Sequence, residues 1–404
     1  MKPRSAAPLT VLFLVNVLNY YDRQALGAVV EPLRHTFNLT DTELALLPTL
    51  FTVVYAVAGL PLGRLADTGS RRRLLASGVA VWAGLTALGA AASSFGMLLF
   101  TRLGVGIGEA VCAPAATSWI GDLVPAERRA RALAGFMMAV PIGVMLSLAI
   151  TGPVAQSYGW RAAIAVAAVP AIVLIPALLW LPEAARGGMT QGGSPMLLAR
   201  IPAMWWIAAS GAIVNSALYT FSYFLPAFLT RFHGVPVGKA GLWTGIGSGI
   251  AGVLGAAAAG VFGAGRMRLA SLAALAAAPA ALGAIALRPG SVAGALVLAM
   301  LCYGLLQTYY GLVYATLHDI VGPELRGTAM SVYLMATYLA GVFLGPLLTG
   351  GLSDHFARQA GGPVEAAKAI GLHQAMYAIP VLCLALAGVL WAGARAVQRD
   401  KIGV

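Results

Sequence analysis

Four ionisable residues stand inside otherwise apolar stretches: Asp22 and Arg23 near the N-terminus, and Arg102 and Glu109 further along. On insertion scales a charge at the centre of a membrane helix costs about 2.5–3.5 kcal/mol, so retained ones are functional candidates. Carboxylates beside guanidinium groups suit two kinds of chemistry, the holding and release of a proton and the binding of an anion. A proton carrier must reach water from each side in turn and change charge over a working pH range. A carboxylate whose protonation depends on a nearby arginine does this when a conformational change makes or breaks the contact. Asp22 and Glu109 are therefore the candidate proton carriers. Arg23 and Arg102 are candidates to hold an anionic group or to pair with the carboxylates. A set of static ion pairs that merely neutralise one another is the competing reading.

Helical spacing arranges these groups. Arg102 and Glu109 are seven residues apart, which puts them on one face about 10.5 Å apart along the axis. Asn16, Asn19 and Arg23, spaced by three and four, form another polar face, and Asn19 joins the binding candidates. Two further stripes carry polar aromatics: Asn215, Tyr219, Ser222 and Tyr223 in one stretch, and Tyr303, Gln307, Tyr310 and Tyr314 in another. Asn215, Tyr219, Tyr223, Tyr303, Gln307, Tyr310 and Tyr314 are candidates to line a cavity with an apolar body and a few hydrogen-bonding tips. Tyrosines packed between helices are the bland alternative. Charges in one half and aromatics in the other suit an amphipathic cargo with its head toward the first half.

The elements that must position these residues follow from composition. Of 404 residues, 59% are hydrophobic and 10% are charged, far from the quarter or so charged in a soluble domain. The mean hydropathy is +0.83. This excludes an ordinary cytosolic enzyme and indicates a polytopic helical membrane protein. Apolar runs read against turns and charges predict twelve spans, at 9–33, 44–65, 74–93, 96–120, 132–155, 162–181, 204–230, 239–263, 269–287, 292–317, 328–352 and 369–394. The stretch 182–203, with Pro182, Gly187, Gly188, Gly192, Gly193 and Pro195, has linker composition. It separates a six-span half, 1–181, from a second, 204–404. Lys2 and Arg4 before an apolar run resemble a leader peptide, but Asn19, Asp22 and Arg23 interrupt it and no cleavage pattern follows. The +12 net charge forms no nucleic-acid stripe. Seventeen Lys and Arg fall on the side holding both termini and seven on the other, so both termini are expected in the cytoplasm of an inner or plasma membrane protein.

Between spans two and three runs GRLADTGSRRR, 63–73. Gly63 permits close helix contact, and Asp67 near a helix end can pair with Arg71, Arg72 or Arg73 and release them when the helices rock. A purely topological anchor is the alternative. The halves also echo each other. DLVPAERRARAL begins at Asp122 and DIVGPELRGTAM at Asp319, so at an offset of 197 Glu127 matches Glu324 and Arg129 matches Arg326. Such repeats point to duplicated six-helix bundles with the substrate path between them. These eleven positions, Gly63 to Arg326, form the candidate cytoplasmic gate.

The segment 63–73 resembles the cytoplasmic signature of the major facilitator superfamily, with Thr68 in place of a basic residue and Ser70 in place of a glycine. NYYDR, 19–23, and RLGVGIGEA, 102–110, with Ala113-Pro114, DLVPAERRAR and Ala139-Val140-Pro141-Ile142-Gly143, are similar to the Spinster group within it. The resemblance implies an all-α fold of twelve helices in two pseudo-symmetric six-helix bundles. It also implies secondary transport by alternating access, with lysophospholipids and sphingosine-1-phosphate as cargo of the animal members. The expected partners are a small amphipathic substrate, protons and membrane lipids, and the chain is read as a monomer. A multidrug or organic-anion efflux pump is the alternative within the class, and a non-transporting sensor the alternative outside it.

Several motifs fail on context. Gly104-x-Gly106-x-Gly108 and Gly245-x-Gly247-x-Gly249 lack the strand a dinucleotide fold requires and read as helix-packing surfaces. Gly238-Lys239 lacks the following Ser or Thr of a phosphate loop. Cys112, Cys302 and Cys383 lie in apolar helices without metal-ligand spacing, and His318 and His373 read as structural. No cofactor, metal or enzymatic constellation is expected, and energy must come from a gradient.

Overall fold

A computed structural model describes residues 3–182, 201–259, 265–321 and 326–402. The linker segment 183–200, Glu324, and the side chains of Asp67, Glu127, Arg129, His318 and Arg326 lie outside what is described. Among the described residues there is no strand. The helices are α1 Pro3–Ala28, α2 Val30–Phe37, α3 Asp41–Thr68, α4 Arg71–Ala90, α5 Phe95–Glu109, α6 Cys112–Leu123, α7 Ala126–Met137, α8 Ala139–Ala168 and α9 Ala171–Trp180. They continue with α10 Pro202–His233, α11 Val237–Ala259, α12 Arg266–Ala286, α13 Val292–Ile320, α14 Arg326–Ala336, α15 Phe343–Ala360, α16 Val364–Met376 and α17 Ala378–Ile402. A π-helical stretch, Thr337–Val342, joins α14 to α15.

Ten stretches are long and apolar enough to cross a membrane. One of them, Arg131–Trp180, runs 50 residues, and Gly159 within it has φ 83° and ψ 161°. That conformation is open to glycine and costly for an L side chain, so the chain turns there and the stretch holds two crossings. α1 is less apolar than these because Asn16, Asn19, Asp22, Arg23 and Gln24 lie in it. Counting α1 and dividing at Gly159 recovers the twelve expected spans. Their boundaries differ in detail. The span expected at 96–120 is broken at Ala110 and Val111, and the one at 328–352 contains the π-helical stretch.

Local chemistry sets the helix ends. The Ser70 and Ser94 hydroxyls accept from the N–H groups of Arg73 and Met97, capping α4 and α5, which satisfies donors a helix start leaves free. Residues divide by contact into two units, one within 1–39, 46–188 and 236–246 and the other within 40–45, 189–235 and 247–404. In the first unit α1 packs along α8 and α4 along α5; in the second α12 packs on α13 and α17, α10 on α17 and α15 on α16. Lipid is as apolar as leucine, so such helices associate by close packing of small residues rather than by water exclusion. A Cβ on Gly78 would sit 2.9 Å from the Gly108 carbonyl oxygen, and one on Gly108 2.9 Å from the Trp82 nitrogen. The glycine run at 104–108 is thus a packing surface. Outward-facing positions stay apolar: Trp180 is 94% exposed and Ile172 72%, as expected where the solvent is hydrocarbon. The three cysteines are buried and free.

Candidate functional site

The first unit gathers all four intramembrane charges, brought together by α1, α4 and α5. Arg23 Nε donates to Glu109 Oε2 at 2.7 Å, and these side chains are 6% and 0% exposed. The Arg23 guanidinium also lies 4.1 Å from the ring centre of Tyr55, 5.0 Å from Tyr20 and 5.4 Å from Phe51. Cation–π contact of this kind helps hold a desolvated cation. Arg102 Nη1 is 3.6 Å from Asp22 Oδ2, too far for a direct hydrogen bond. Thr86 closes the gap: its hydroxyl donates to Asp22 Oδ2 at 2.9 Å and accepts from Arg102 Nη2 at 3.1 Å.

The other oxygens are left over. Asp22 Oδ1 and Glu109 Oε1 are buried with no hydrogen-bond partner among the described residues, as are Asn19 Nδ2 and Arg102 Nε. The two carboxyl groups face each other. Each carboxylate therefore has one oxygen held by a donor and one without a donor, and the two carboxyl groups lie close enough to share a proton. Buried ion pairs cost several kcal/mol of desolvation per ion, and open oxygens forgo part of the compensation. Such a site is a poor stability device and a good place to put a proton. α1 itself is fixed on α8, where Ser147 Oγ donates to the Tyr21 carbonyl at 2.6 Å and Thr151 Oγ1 to the Tyr21 hydroxyl at 3.2 Å. Asn16, expected on the polar face, instead anchors the chain by donating to the Phe136 carbonyl at 3.1 Å.

In the second unit the expected aromatic stripes separate. Tyr310 donates to Asn215 Oδ1 at 3.0 Å, and Tyr310 and Tyr314 meet edge to face at 5.6 Å. Tyr219 lies beside both. Tyr309 and Tyr333 join this group: Tyr333 donates to the Tyr309 hydroxyl at 3.2 Å, and the Tyr309 and Ser210 hydroxyls are hydrogen-bonded to each other at 2.8 Å. Tyr303 belongs elsewhere, packed 5.4 Å from Phe221 with Gln307 and Ser222 as neighbours. Tyr223 is buried and donates to the Leu44 carbonyl at 2.7 Å, a packing role rather than membership of the Tyr310 group. The π-helical turn runs beside these tyrosines, its Gly341 carbonyl accepting from Ser216 Oγ at 2.9 Å. Such turns recur at functional sites.

Asp122 and Asp319 match in the sequence repeat, and each pairs with an arginine at the start of a helix. Arg71, at the start of α4, pairs with Asp122 near the end of α6, at 5% and 14% exposure. Arg266, at the start of α12, pairs with Asp319 near the end of α13 at 2.9 Å, with 29% and 45% exposure. Arg72 Nη1 donates to the Leu181 carbonyl at 3.2 Å, Arg73 is exposed, and a Cβ on Gly63 would lie an ordinary 3.9 Å from Pro114 Cβ. Asp67, Glu127, Arg129, Glu324 and Arg326 have no described side chain, so their pairing stays an expectation.

A third charged cluster escaped sequence reasoning. In the second unit the Asp41 carboxylate takes two bonds from Arg231, at 2.7 and 2.8 Å, and one from Ser353 Oγ at 2.5 Å. Asp354 in turn accepts from the N–H groups of Asp41 and Thr42, at 2.9 and 2.8 Å. Asp41 reads in sequence as an ordinary helix start. Nothing local flags its partners.

Long apolar helices, lipid-facing surface and charges sunk in the middle of spans define an integral membrane protein of the transporter class. The sequence profile of the Major Facilitator Superfamily matches residues 12–346, and the chain belongs to that family. It is 34% identical over 403 residues to an MFS-type efflux pump of Mycolicibacterium smegmatis, covering 95% of this chain and 93% of that one. It is 30% identical over 394 residues to the mouse protein spinster homolog 1, covering 87% and 73%. A crystal structure of a bacterial homologue of the human lysosomal transporter Spinster, inward-facing and occupied, superposes with a TM-score of 0.90 at 26% identity over 99% of both chains. These relatives are transporters, not enzymes.

Proposed function

We propose that this chain is a proton-coupled secondary transporter, working by alternating access, that moves an amphipathic or lipid-like organic anion of the lysophospholipid or sphingolipid kind. The observation that carries this is the buried quartet of Asp22, Arg23, Arg102 and Glu109, in which each carboxylate has one oxygen without a donor. With both carboxylates ionised the quartet is neutral. One added proton leaves a guanidinium uncompensated, and a singly charged anionic head restores the balance. Proton and anion binding then favour each other, and such coupling is reciprocal. Asn19, whose Nδ2 has no partner among the described residues, lies on α1 with Asp22. Asn215, Tyr219, Tyr310 and Tyr314, with Tyr303 and Gln307, supply hydroxyl and amide tips on apolar bodies, which matches a cargo with an ionic and an apolar part.

In the same proposal the halves 1–181 and 204–404 are the moving bundles, joined by 182–203, with both termini cytoplasmic and the protein a monomer. Gly63, Asp67, Arg71–Arg73, Asp122, Glu127, Arg129, Asp319, Glu324 and Arg326 form the cytoplasmic gate. The relationship to the mycobacterial efflux pump favours one second reading, export of unrelated drugs on the same proton machinery. One experiment separates them. Purified protein in proteoliposomes is offered lysophospholipids, sphingoid phosphates and cationic drugs, with and without a pH gradient. Gradient-stimulated flux of the amphipathic anions supports the proposal. Flux confined to cationic drugs transfers it to efflux, and flux indifferent to the gradient overturns proton coupling.

A further inference from the structure

Several of the described helical threonines spend their hydroxyl on their own backbone. Thr52, Thr117, Thr316 and Thr349 each donate to the carbonyl four residues back, at 2.7–3.0 Å. This is the default for a hydroxyl in an apolar helix, where no water competes. Thr86, 1% exposed near the C-terminal end of α4, does not follow it. Its hydroxyl reaches across to α1 and α5 instead, donating to Asp22 and accepting from Arg102. A guanidinium has no acceptor, so the one hydroxyl proton must go to the carboxylate and a lone pair must take the guanidinium N–H. The direction of the relay, Arg102 to Thr86 to Asp22, is fixed by the donors available. The β-branched side chain is stiff at χ1, so the hydroxyl is held in place at little entropic cost.

The next turn of α4 completes the seat. A Cβ on Gly89 would lie 3.0 Å from Thr101 Oγ1 and 3.3 Å from Arg102 Nη2. The missing side chain gives the guanidinium room to lie against α4 and meet Thr86.

We propose that Thr86 is a positioning residue for proton exchange: it occupies Asp22 Oδ2, leaves Oδ1 as the oxygen that takes the proton, and keeps Arg102 in place through the charge cycle. This rests on the reading of Asp22 and Glu109 as the proton carriers. When a proton from water binds Oδ1, the attraction between Asp22 and Arg102 disappears. A direct ion pair would then release the arginine. Here Arg102 stays hydrogen-bonded to a neutral hydroxyl, with its charge free to meet an anion.

The test uses the full-length protein in detergent and needs no cargo. The carboxylic-acid band in the infrared is titrated against pH in wild type, Thr86→Val, Thr86→Ser and Asp22→Asn, with thermal melting recorded for each. Asp22→Asn is expected to remove the band component that belongs to Asp22. Thr86→Val keeps the shape but withdraws a hydrogen bond from the ionised carboxylate. Its Asp22 component should titrate about one pH unit more alkaline than in wild type, while Thr86→Ser titrates like wild type. If Thr86→Val does not fold, Gly89→Ala, which crowds Arg102 and spares the hydroxyl, is expected to move the same midpoint. An unmoved midpoint in Thr86→Val, or an equal shift in the valine and serine variants, overturns the role of Thr86 alone. A band unaffected by Asp22→Asn overturns the carrier reading beneath it.

Discussion

Glu109→Gln takes one negative charge out of the buried quartet while keeping the length of the side chain. The glutamine carbonyl can still accept from Arg23 Nε, which now lies 2.7 Å from Oε2, and the contact with Tyr55 at 4.1 Å remains. What is lost is the charge assistance of that hydrogen bond, about 1–2 kcal/mol from the difference between charged and neutral bonds. This is well below the 3–5 kcal/mol for stranding a buried charge, so the variant is expected to fold and bind cargo. Coupling is another matter. One proton per cycle makes a gradient of one pH unit worth about 1.4 kcal/mol, or roughly tenfold accumulation of a singly charged cargo moved electroneutrally. In proteoliposomes with a one-unit gradient, wild type should approach that ratio. Glu109→Gln should fall to about equal concentrations on both sides while cargo exchange without a gradient continues. Accumulation persisting near tenfold in both Glu109→Gln and Asp22→Asn, with unchanged melting, would refute the reasoning and leave static ion pairs.

The remaining predictions concern helix ends and packing. Asp122→Ala removes both the charge and the acceptor that the nearly buried Arg71 meets and should cost about 3 kcal/mol, whereas Asp319→Ala, in the exposed pair, should cost under about 1 kcal/mol; equal shifts in thermal melting would contradict the depth argument. Gly108→Ala places a methyl group against Trp82 and should destabilise by about 1–3 kcal/mol. Gly84→Ala meets nothing within 4 Å, and its melting point should hold or rise slightly. Asp67→Asn should raise the reactivity of cysteines placed at the cytoplasmic mouth, and unchanged reactivity with normal transport would reduce the segment 63–73 to a topological anchor.

How far the sequence could be read depended on the range of each signal. Spans were legible because twenty apolar residues are a local property, and the intramembrane charges because each is conspicuous alone. Which carboxylate meets which arginine was not, since the crossing of α1, α4 and α5 decides it. Thr86 was invisible for the same reason: one hydroxyl in an apolar run looks like filler until two helices present a carboxylate and a guanidinium to it. The aromatic stripes were legible only as spacing. Spacing put Tyr219 and Tyr223 four residues apart on one strip, but Tyr223 is taken by the Leu44 carbonyl, and Tyr309 and Tyr333 entered from positions that spacing ignored. Gly159 falls in the break expected between the spans at 132–155 and 162–181, though its positive φ is visible only in the structure.

The first turn of α3 shares its capping between Thr40, whose hydroxyl accepts from the Glu43 N–H at 3.2 Å, and Asp354, 313 positions from Asp41. The N–H groups of Asp41 and Thr42 are satisfied by Asp354, and the Asp41 carboxylate by Arg231 and Ser353. A hydrophobic seam, once opened, leaves bare surface that has no substitute for its lost neighbour. Each polar group in this junction has water as a second-best partner of nearly equal merit, because folding exchanges hydrogen bonds for others of similar strength. Its strength is therefore set by hydration and by dissolved ions, and the start of α3 is fastened in a way that wetting can undo and drying can remake.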